Sequence, residues 1–463
     1  MQDSSAHGAR STGPPGNPLM TVRLDLTVPV ILFAVALACW TILTTERLAD
    51  SPNDASRWNT VYSLMEHGTY AFVRDPEPPW ASPPSPDGPA GDAGVLWTID
   101  MIRIDGRYYS SKPPLLPTCL AGIGLAASKL TGWSFHENPR AIQRVILITA
   151  QVLPFAVFLF VLRGRVFRMT SSVFVRNFTM ACAALCTYLT PWVVTLNNHV
   201  PAACTGFLAV EAAMRIWYDR RRSWHLFALA GFLASFTAAI ELPAGLLAVA
   251  LFAGLLIRDP NRTLMAGLTA AAVPACAALY TNYLVTGSFS PAYARFGVPG
   301  GPYDYPGSYW NHPQGIDALA EPRPVYLAHM LVGHDGFFSL TPIFLIGAVG
   351  LAGHLRGRPG ACPALAGLTA GLFAAVVGVY TFTTNNYGGG CNGFRWLFWM
   401  IPLWLVFLPA GLERIGRSRG GQIIVHMMLA VSLYSVYFAM RDANPWTHSW
   451  LRLVFRQWGW IDY

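Results

Sequence analysis

Two short polar segments in the first part of the chain carry the side chains best suited to chemistry. The first, Ser51-Pro-Asn-Asp-Ala-Ser-Arg-Trp58, presents the carboxylate of Asp54 soon after an apolar run. The second, Ile104-Asp-Gly-Arg-Tyr-Tyr-Ser-Ser-Lys-Pro-Pro-Leu-Leu116, presents Lys112, one of two lysines among 32 basic residues. A carboxylate at the mouth of a helical bundle can act as a general base. A compact ammonium on a stiff Pro-Pro support suits a phosphate near the headgroup layer, so the segments predict a base and a phosphate contact.

Each of these side chains also has a purely structural interpretation. Ser51 or Asn53 would serve as the N-cap of a helix whose first turn holds Asp54, because short polar side chains and early carboxylates stabilise helix starts. Lys112 would be a lysine that extends from an apolar segment to the membrane surface. Tyr109 would be an aromatic residue of the interface. Local sequence alone leaves both interpretations open.

The composition requires a membrane-embedded bundle to position these segments. Of the 463 residues, 53% are hydrophobic and 12% are charged, whereas a soluble domain carries about 25% charged residues. A soluble enzyme of this length is therefore excluded. The net charge is +8, but the basic residues form short clusters between apolar runs, as in membrane loops, and line no face or tail that would bind nucleic acid. We predict an all-α polytopic membrane protein that binds no nucleic acid.

Apolar runs predict about eleven transmembrane helices, within a range of roughly 10–13. These runs are 26–45, 144–162, 177–196, 200–217, 225–241, 242–257, 263–284, 336–355, 361–383, 395–413 and 422–440. A further run, 113–128, holds 16 residues and would cover roughly 24 Å, short of the roughly 30 Å hydrocarbon core. It is expected to lie at the outer interface.

The arginines orient the bundle. With a cytoplasmic N-terminus and no crossing by 113–128, 17 arginines fall on the inner side, almost all in short loops, as the positive-inside rule requires. The chain then divides into a polar, disordered cytoplasmic tail (1–22), a transmembrane domain (23–440) and an outer C-terminal tail (441–463). The long outer loops are 46–143, 285–335 and 384–394. Long loops on one face favour chemistry there, because transporters more often keep loops short and bind substrates mid-membrane.

The two polar segments resemble the first outer loop of the GT-C membrane glycosyltransferases, in particular the branch of the lipid A aminoarabinose transferase and the protein O-mannosyltransferases. The matching motifs are Asn-Asp54-Ala-Ser-Arg57-Trp and Asp105-Gly-x-Tyr-Tyr-x-x-Lys112-Pro-Pro-Leu. The superfamily implies an N-terminus inside, about 11–13 spans and interfacial helices in that loop. It also implies a polyprenyl-phosphate-linked sugar as the donor. The implied topology agrees with the one predicted from charge and hydropathy.

The resemblance implies a role for each motif residue. Asp54 corresponds to the carboxylate that deprotonates the acceptor in an inverting displacement at the anomeric carbon. Arg57 belongs to the arginine–aromatic pair that follows. Lys112 corresponds to the lysine that contacts the carrier phosphate and stabilises it as leaving group. Tyr109 precedes Lys112 in the second motif. Because phosphate already leaves readily, one base and cationic contacts suffice, unlike the two carboxylates of a glycosidase.

Further candidates lie at the predicted outer ends of spans, where ionisable residues are functional candidates by default. Arg395 resembles the arginine that opens a late span in the family, with Trp396 in place of tyrosine, and would give a second phosphate contact through its planar guanidinium. His199 stands where relatives often carry an acidic residue, a departure that argues against a metal ligand there. Glu241 and Asp335 would face the same side. An ordinary interfacial arginine and a capped helix start explain Arg395 and Asp335 equally well.

The sequence therefore predicts a membrane glycosyltransferase that uses a polyprenyl-phosphate sugar and a lipid, glycan or protein acceptor at the outer face of the cytoplasmic membrane. Asp54 is the predicted catalytic base, and the predicted substrate-binding residues are Arg57, Tyr109, Lys112, His199, Glu241, Asp335 and Arg395. No cofactor is predicted, and no Asp-x-Asp pair supports a divalent metal. The glycine-rich segment 385–393 is interpreted as a turn with close backbone packing, with a phosphate cradle as the alternative. The alternative function is a transporter or lipid flippase without glycosyl transfer.

Overall fold

The computed structural model describes residues 24–46, 49, 51–72, 98–357, 360–441 and 444–463. Within these ranges the chain is helical apart from loops and one two-stranded hairpin. The predicted disordered tail 1–22 lies outside the described residues.

The described elements follow one another closely along the chain. Up to the middle of the bundle they are α1 (Thr27–Thr44), α2 (Pro52–His67), β1 (Met101–Ile104), β2 (Arg107–Ser110), α3 (Leu115–Thr131), α4 (Pro139–Leu147), α5 (Leu153–Met169), α6 (Val173–Leu185), α7 (Leu189–Trp192), α8 (His199–Trp217), α9 (Trp224–Ile240) and α10 (Gly245–Arg258). The remaining helices are α11 (Pro260–Arg262), α12 (Thr269–Thr286), α13 (Arg323–Leu331), α14 (Phe337–Leu340), α15 (Ile343–Leu355), α16 (Pro363–Thr383), α17 (Ile401–Leu405), α18 (Leu408–Ile415), α19 (Arg419–Met440) and α20 (Trp450–Gln457).

Several of these helices are able to cross a membrane. Five segments are long and apolar enough, namely Thr27–Thr44, Pro139–Met169, Pro260–Thr286, Pro363–Thr383 and Arg419–Met440. The pair Arg395–Leu405 and Leu408–Ile415, bent by 65°, makes a sixth if it is one span. Each of the eleven predicted apolar runs contains a helix, and α3, within the short run 113–128, is one of the shorter apolar helices. The predicted all-α polytopic membrane fold is confirmed.

The predicted run 177–196 is not one continuous helix. It breaks after α6, and the chain turns through α7 and a short loop before α8 begins. The Asn197 side chain supports this turn, because its Nδ2 donates to the carbonyls of Trp192 (2.6 Å) and Thr195 (3.0 Å) and its Oδ1 accepts from Val200 N (2.9 Å). Non-helical backbone at membrane depth is tolerated when protein groups satisfy it. The break brings Thr195 and Asn198 to one end of the bundle.

Helices of the bundle approach one another most closely at glycines. A Cβ atom on Gly231 of α9 would lie 2.0 Å from the carbonyl oxygen of Gly267, and one on Gly350 of α15 would lie 2.0 Å from that of Phe407. Small residues at helix crossings are the usual means of packing in a membrane, where van der Waals contact replaces the hydrophobic effect. These crossings set the positions of the helix ends that carry polar side chains.

The first and second outer loops form one layer over an end of the bundle. The strands β1 and β2 pair antiparallel around an Asp105-Gly106 turn in which both residues have positive φ, the geometry that Asp-Gly favours in a tight hairpin. The second outer loop is hydrogen-bonded to one edge of this hairpin, because Arg103 N of β1 donates to Pro302 O (2.8 Å). The hairpin is fixed to α2 through Ser56, whose hydroxyl donates to Asp100 O (2.5 Å). The layer therefore holds α2 and the start of α3 against the bundle.

Segments predicted to be cytoplasmic meet at the opposite end. Glu211, near the end of α8, forms ion pairs with Arg165 (2.8 Å), Arg168 (2.6 Å) and Arg215 (2.9 Å). Because Glu211 lies 12 residues after His199, the first residue of α8, and an α-helix rises about 1.5 Å per residue, roughly 18 Å of helix separate the two. This arginine cluster thus lies far from the outer-loop layer.

Candidate active site

Asp54 lies in the first turn of α2 and is fully buried. Its Oδ1 accepts hydrogen bonds from Ser51 N (2.9 Å) and Ala55 N (2.7 Å), while the Ser51 hydroxyl accepts from Asn53 N (3.0 Å). Its Oδ2 accepts from the Thr195 hydroxyl (3.2 Å). The capping interpretation is confirmed, with Ser51 as the N-cap of a capping box. One oxygen caps the helix and the other contacts the loop before α8, so capping does not exclude a chemical role.

Lys112 lies between β2 and α3 and is 9% exposed. Its Nζ lies 2.9 Å from Asp100 Oδ2 and 6.0 Å from the ring centroid of Tyr293. Burial lowers the pKa of Lys112 to about 8, Asp100 raises it in part, and the charges of Arg57 and Arg395 lower it further. The ammonium is therefore enclosed with two other cations near it, an environment that an added anion would stabilise.

Arg57 lies one turn after Asp54 on α2 and is also buried. Its Nη1 donates to Asn53 O (2.9 Å) and its Nη2 to Asn198 Oδ1 (2.5 Å). The Nδ2 of Asn198 in turn donates to Glu241 Oε2 (2.7 Å). His199 Nδ1 lies 2.7 Å from the same carboxylate oxygen. The predicted residues Arg57, His199 and Glu241 thus belong to one hydrogen-bonded network that joins α2, α8 and the end of α9.

Arg395 begins the turn that leads into α17. Its guanidinium carbon lies 5.0 Å from the ring centroid of Trp446. Two enclosed nitrogens of this guanidinium, Nε and Nη1, have no hydrogen-bond partner among the described residues. Buried donors usually find an acceptor, so this side chain suits an anionic ligand.

The glycine-rich segment 385–393 packs closely beside Arg395. Gly388 has φ +90°, and a Cβ atom there would lie 3.1 Å from Arg395 Cγ. The Nη2 of Arg395 lies 4.0 Å from where a Cβ of Gly389 would stand. The interpretation of the segment as a turn with close backbone packing therefore fits, and the glycines leave room for the arginine.

The structure brings most of the predicted residues together, but not all of them. Electrostatic interactions link Arg57, Lys112, Arg395 and Glu241. His199 joins them through its contact with Glu241, and Asp54 lies one turn before Arg57 on α2. Tyr109 instead faces a small apolar cluster between the two outer loops. Asp335 pairs with His334 Nδ1 (2.9 Å) and lies 3.9 Å from Arg452 Nη1, beneath the C-terminal segment.

Sequence reasoning missed Asp100, the ion-pair partner of Lys112. The sequence did contain the information needed to find it. An Asp105-Gly106 turn implies a hairpin, and pairing the residues on either side of that turn places Asp100 opposite Ser111. The Ser111 N–H does donate to Asp100 O (3.1 Å). Thr195 and Trp446 were also missed, and no local pattern identifies them because they are distant from Asp54 in the chain.

No protein-family model matches the chain. No curated protein matches it by sequence. Among solved structures, the chain is similar to ArnT from Cupriavidus metallidurans in the apo state, with a TM-score of 0.53 and 15% sequence identity. The superposition covers 90% of this chain and 66% of the ArnT chain, so this chain spans about two thirds of the length of that protein. The likeness shows the fold alone, and it supports the predicted all-α polytopic membrane architecture.

Proposed function

We propose that this protein is an inverting membrane glycosyltransferase that moves a sugar from a polyprenyl-phosphate donor to an acceptor. Asp54 is the general base, and Lys112, Arg57 and Arg395 bind the carrier phosphate. The acceptor is a lipid, a glycan or a protein, and the reaction takes place at the outer face of the cytoplasmic membrane. The GT-C-like fold and the motif resemblance to the aminoarabinose transferase and O-mannosyltransferase branch support this proposal.

The observation that carries the proposal is the convergence of three cations, Arg57, Lys112 and Arg395, with the carboxylates of Asp100 and Glu241 beside them. Three positive groups in a largely buried site repel one another, since Arg57 and Arg395 both lower the pKa of Lys112. In addition, two enclosed nitrogens of Arg395 have no hydrogen-bond partner among the described residues and could donate to an added acceptor. A phosphodiester supplies both a negative charge and several acceptor oxygens, so it would satisfy this group of donors.

The proposed reaction needs one proton transfer and one displacement. A carboxylate oxygen of Asp54 takes the proton of the acceptor nucleophile, which attacks the anomeric carbon from the face opposite the phosphate. The bond between the anomeric carbon and the phosphate oxygen breaks, and the electron pair leaves with the carrier. Lys112, Arg57 and Arg395 stabilise the negative charge that develops on that oxygen. The capping hydrogen bonds to Oδ1 hold the carboxylate in place before the acceptor arrives.

The function is tested directly with purified protein and a panel of polyprenyl-phosphate sugars that includes aminoarabinose and mannose donors. Membrane extract supplies acceptors, and mass spectrometry detects released polyprenyl phosphate together with the glycosylated product. We expect release from at least one donor, dependent on the acceptor fraction. If labelled donor instead crosses the bilayer of proteoliposomes without loss of its sugar, the protein is a flippase and the proposal is wrong.

Donor affinity is expected to depend on pH through Lys112. Because burial lowers the pKa of Lys112 to about 8, its positive charge is present below that pH and is lost above it. Raising the pH from 7 to 9 should therefore increase the donor KM by about tenfold, whereas the phosphodiester of the donor does not titrate in this range. Initial rates at varied donor concentration measure the effect.

The Lys112→Arg variant is the control for this pH dependence. A guanidinium stays protonated throughout the range, so the donor KM of this variant should change little between pH 7 and pH 9. An equal rise of KM in the wild-type protein and in Lys112→Arg would assign the titration to another group.

The orientation of the site follows from the same topology. Reporter fusions after Gly164 and after Arg222 should both lie in the cytoplasm, because both positions lie beside the arginine cluster at the end of the bundle opposite the outer-loop layer. A fusion after Tyr463 should lie outside. If the first two fusions are external, the proposed active face is on the wrong side of the membrane.

A further inference from the structure

The C-terminal segment, residues 444–463, returns from the end of α19 to the candidate site. Asn392, three residues before Arg395, donates from its backbone N–H to Pro445 O (2.9 Å) and from its side chain to Thr447 O (2.8 Å). Farther along, the Ser449 hydroxyl donates to His334 O (2.5 Å), and the Tyr463 hydroxyl donates to Glu321 Oε1 (2.5 Å). The segment is thus hydrogen-bonded to both the second and the third outer loops.

Within this segment Trp446 reaches Asp54 through one hydroxyl group. The indole Nε1 donates to Thr195 Oγ1 (3.0 Å), and Thr195 Oγ1 donates to Asp54 Oδ2 (3.2 Å). An indole N–H can only donate, so the threonine oxygen must accept from it and direct its single proton elsewhere. The Thr195 hydroxyl therefore accepts from the indole and donates its hydrogen bond to the Asp54 carboxylate.

The face of the same indole contacts the cationic part of the site. The guanidinium of Arg395 lies 5.0 Å from the Trp446 ring centroid, within the range of a cation–π interaction. Trp192, in the turn that also carries Thr195, packs edge to face against the Trp446 indole at a centroid distance of 4.5 Å and an angle of 70°. Trp446 is 9% exposed, so this packing leaves the indole few alternative orientations.

We infer that Trp446 is a positioning residue, which fixes the carboxylate of Asp54 through Thr195 and the guanidinium of Arg395 through its ring. The C-terminal segment is then a working part of the site rather than a surface tail. The inference rests on the proposed function, since it gives Asp54 the role of base and Arg395 that of a phosphate contact. Trp446 thus sets the position of the general base, which activates the acceptor, relative to the phosphate contact, which stabilises the leaving group.

The test separates the two contacts of the indole. Trp446→Phe removes the N–H but keeps an aromatic face for Arg395, whereas Trp446→Leu removes both. We expect Trp446→Phe to lower kcat by about threefold to thirtyfold, the effect of one lost hydrogen bond, with little change in the donor KM. Trp446→Leu should also raise the donor KM. Equal kcat and KM in both variants and the wild-type protein would overturn the inference.

A second measurement does not depend on catalysis. Infrared difference spectra follow protonation of the Asp54 carboxyl, with Asp54→Asn identifying its band. Thr195→Val removes the hydroxyl that donates to the carboxylate, and Trp446→Phe removes the N–H that orients this hydroxyl. Both changes destabilise the ionised carboxylate, so the band should titrate at higher pH in both variants. The double variant should match Thr195→Val alone, because both changes act on one chain of hydrogen bonds.

Trp450→Phe is the matched control. It lies in the same segment, and its indole N–H donates to Ser435 Oγ (2.9 Å), away from Asp54. The carboxyl band should titrate in this variant as in the wild-type protein. An unmoved band in Trp446→Phe, or the same displacement in Trp450→Phe, overturns the inference even if sugar transfer is observed. A displaced band in a protein that transfers no sugar from any donor leaves the hydrogen-bonded chain intact and removes the proposed function.

Discussion

Asp54→Asn is expected to reduce sugar transfer by at least about 10²-fold, because a positioned general base contributes about 10²–10⁴-fold. The amide retains an oxygen that can accept the capping hydrogen bonds from Ser51 and Ala55 but cannot take up the proton of the acceptor. The helix start should therefore persist while the chemistry fails. The rate of polyprenyl phosphate release measures the loss, and thermal unfolding of the purified protein measures the fold.

Ser51→Ala separates the capping role of this turn from its chemical role. The substitution removes the hydroxyl that accepts from Asn53 N and leaves the Asp54 carboxylate in place. Loss of an N-cap costs about 1 kcal/mol of stability, so the variant should unfold more easily yet retain most of its activity. Equal losses of activity in Ser51→Ala and Asp54→Asn, or full activity in Asp54→Asn, would show that Asp54 acts only as a cap.

Lys112→Ala is expected to raise the donor KM by about tenfold to a hundredfold, the effect of a lost hydrogen bond between charged groups. The structure adds to this expectation, since Nζ of Lys112 lies 2.9 Å from Asp100 Oδ2. Without the ammonium, the Asp100 carboxylate would be less compensated and would repel the carrier phosphate. Initial rates at varied donor concentration, or direct binding of a non-transferable donor analogue, measure the change.

The second lysine of the chain supplies the control. Lys129 is exposed near the end of α3, so Lys129→Ala removes the same charge without touching the site and should leave the donor KM unchanged. Lys112→Arg should bind the donor more weakly than the wild-type protein but better than Lys112→Ala, because a planar fork cannot replace a point charge on a rigid Pro-Pro support. Equal donor affinity in the wild-type protein, Lys112→Ala and Lys112→Arg would contradict the role assigned to Lys112.

Parts of the site that depend on neighbouring residues could be predicted from the sequence. The Ser51 cap with Asp54 in the first turn follows from side chains three residues apart, and the structure contains both hydrogen bonds of that box. Arg57 lies one turn later on the same helix, so its proximity to Asp54 also follows from helical spacing. Tyr109 was predicted from its place in a motif, but alternation along β2 directs it to the cluster between the outer loops.

Other parts depend on pairings between distant segments. Asp335 was a candidate by its place at the outer end of a predicted span, yet its carboxylate contacts His334 and lies 3.9 Å from Arg452, more than a hundred residues later. Thr195 reached the site because the predicted run 177–196 breaks, and hydropathy alone does not detect that break. Trp446 contacts Thr195 across 251 positions.

The amino-acid sequence was enough to show that this protein lies in a lipid bilayer and to give the order of its helices. Partition between water and lipid is a property of each short segment, so 12% charged residues and a series of apolar runs were sufficient to predict a polytopic helical bundle. Which polar groups contact one another became visible only once the helices were packed together. The partners of Asp54, Lys112 and Arg395 come from the loop before α8, the first outer loop and the C-terminal segment, and their distances are set by helix crossings and loop packing that no single segment encodes.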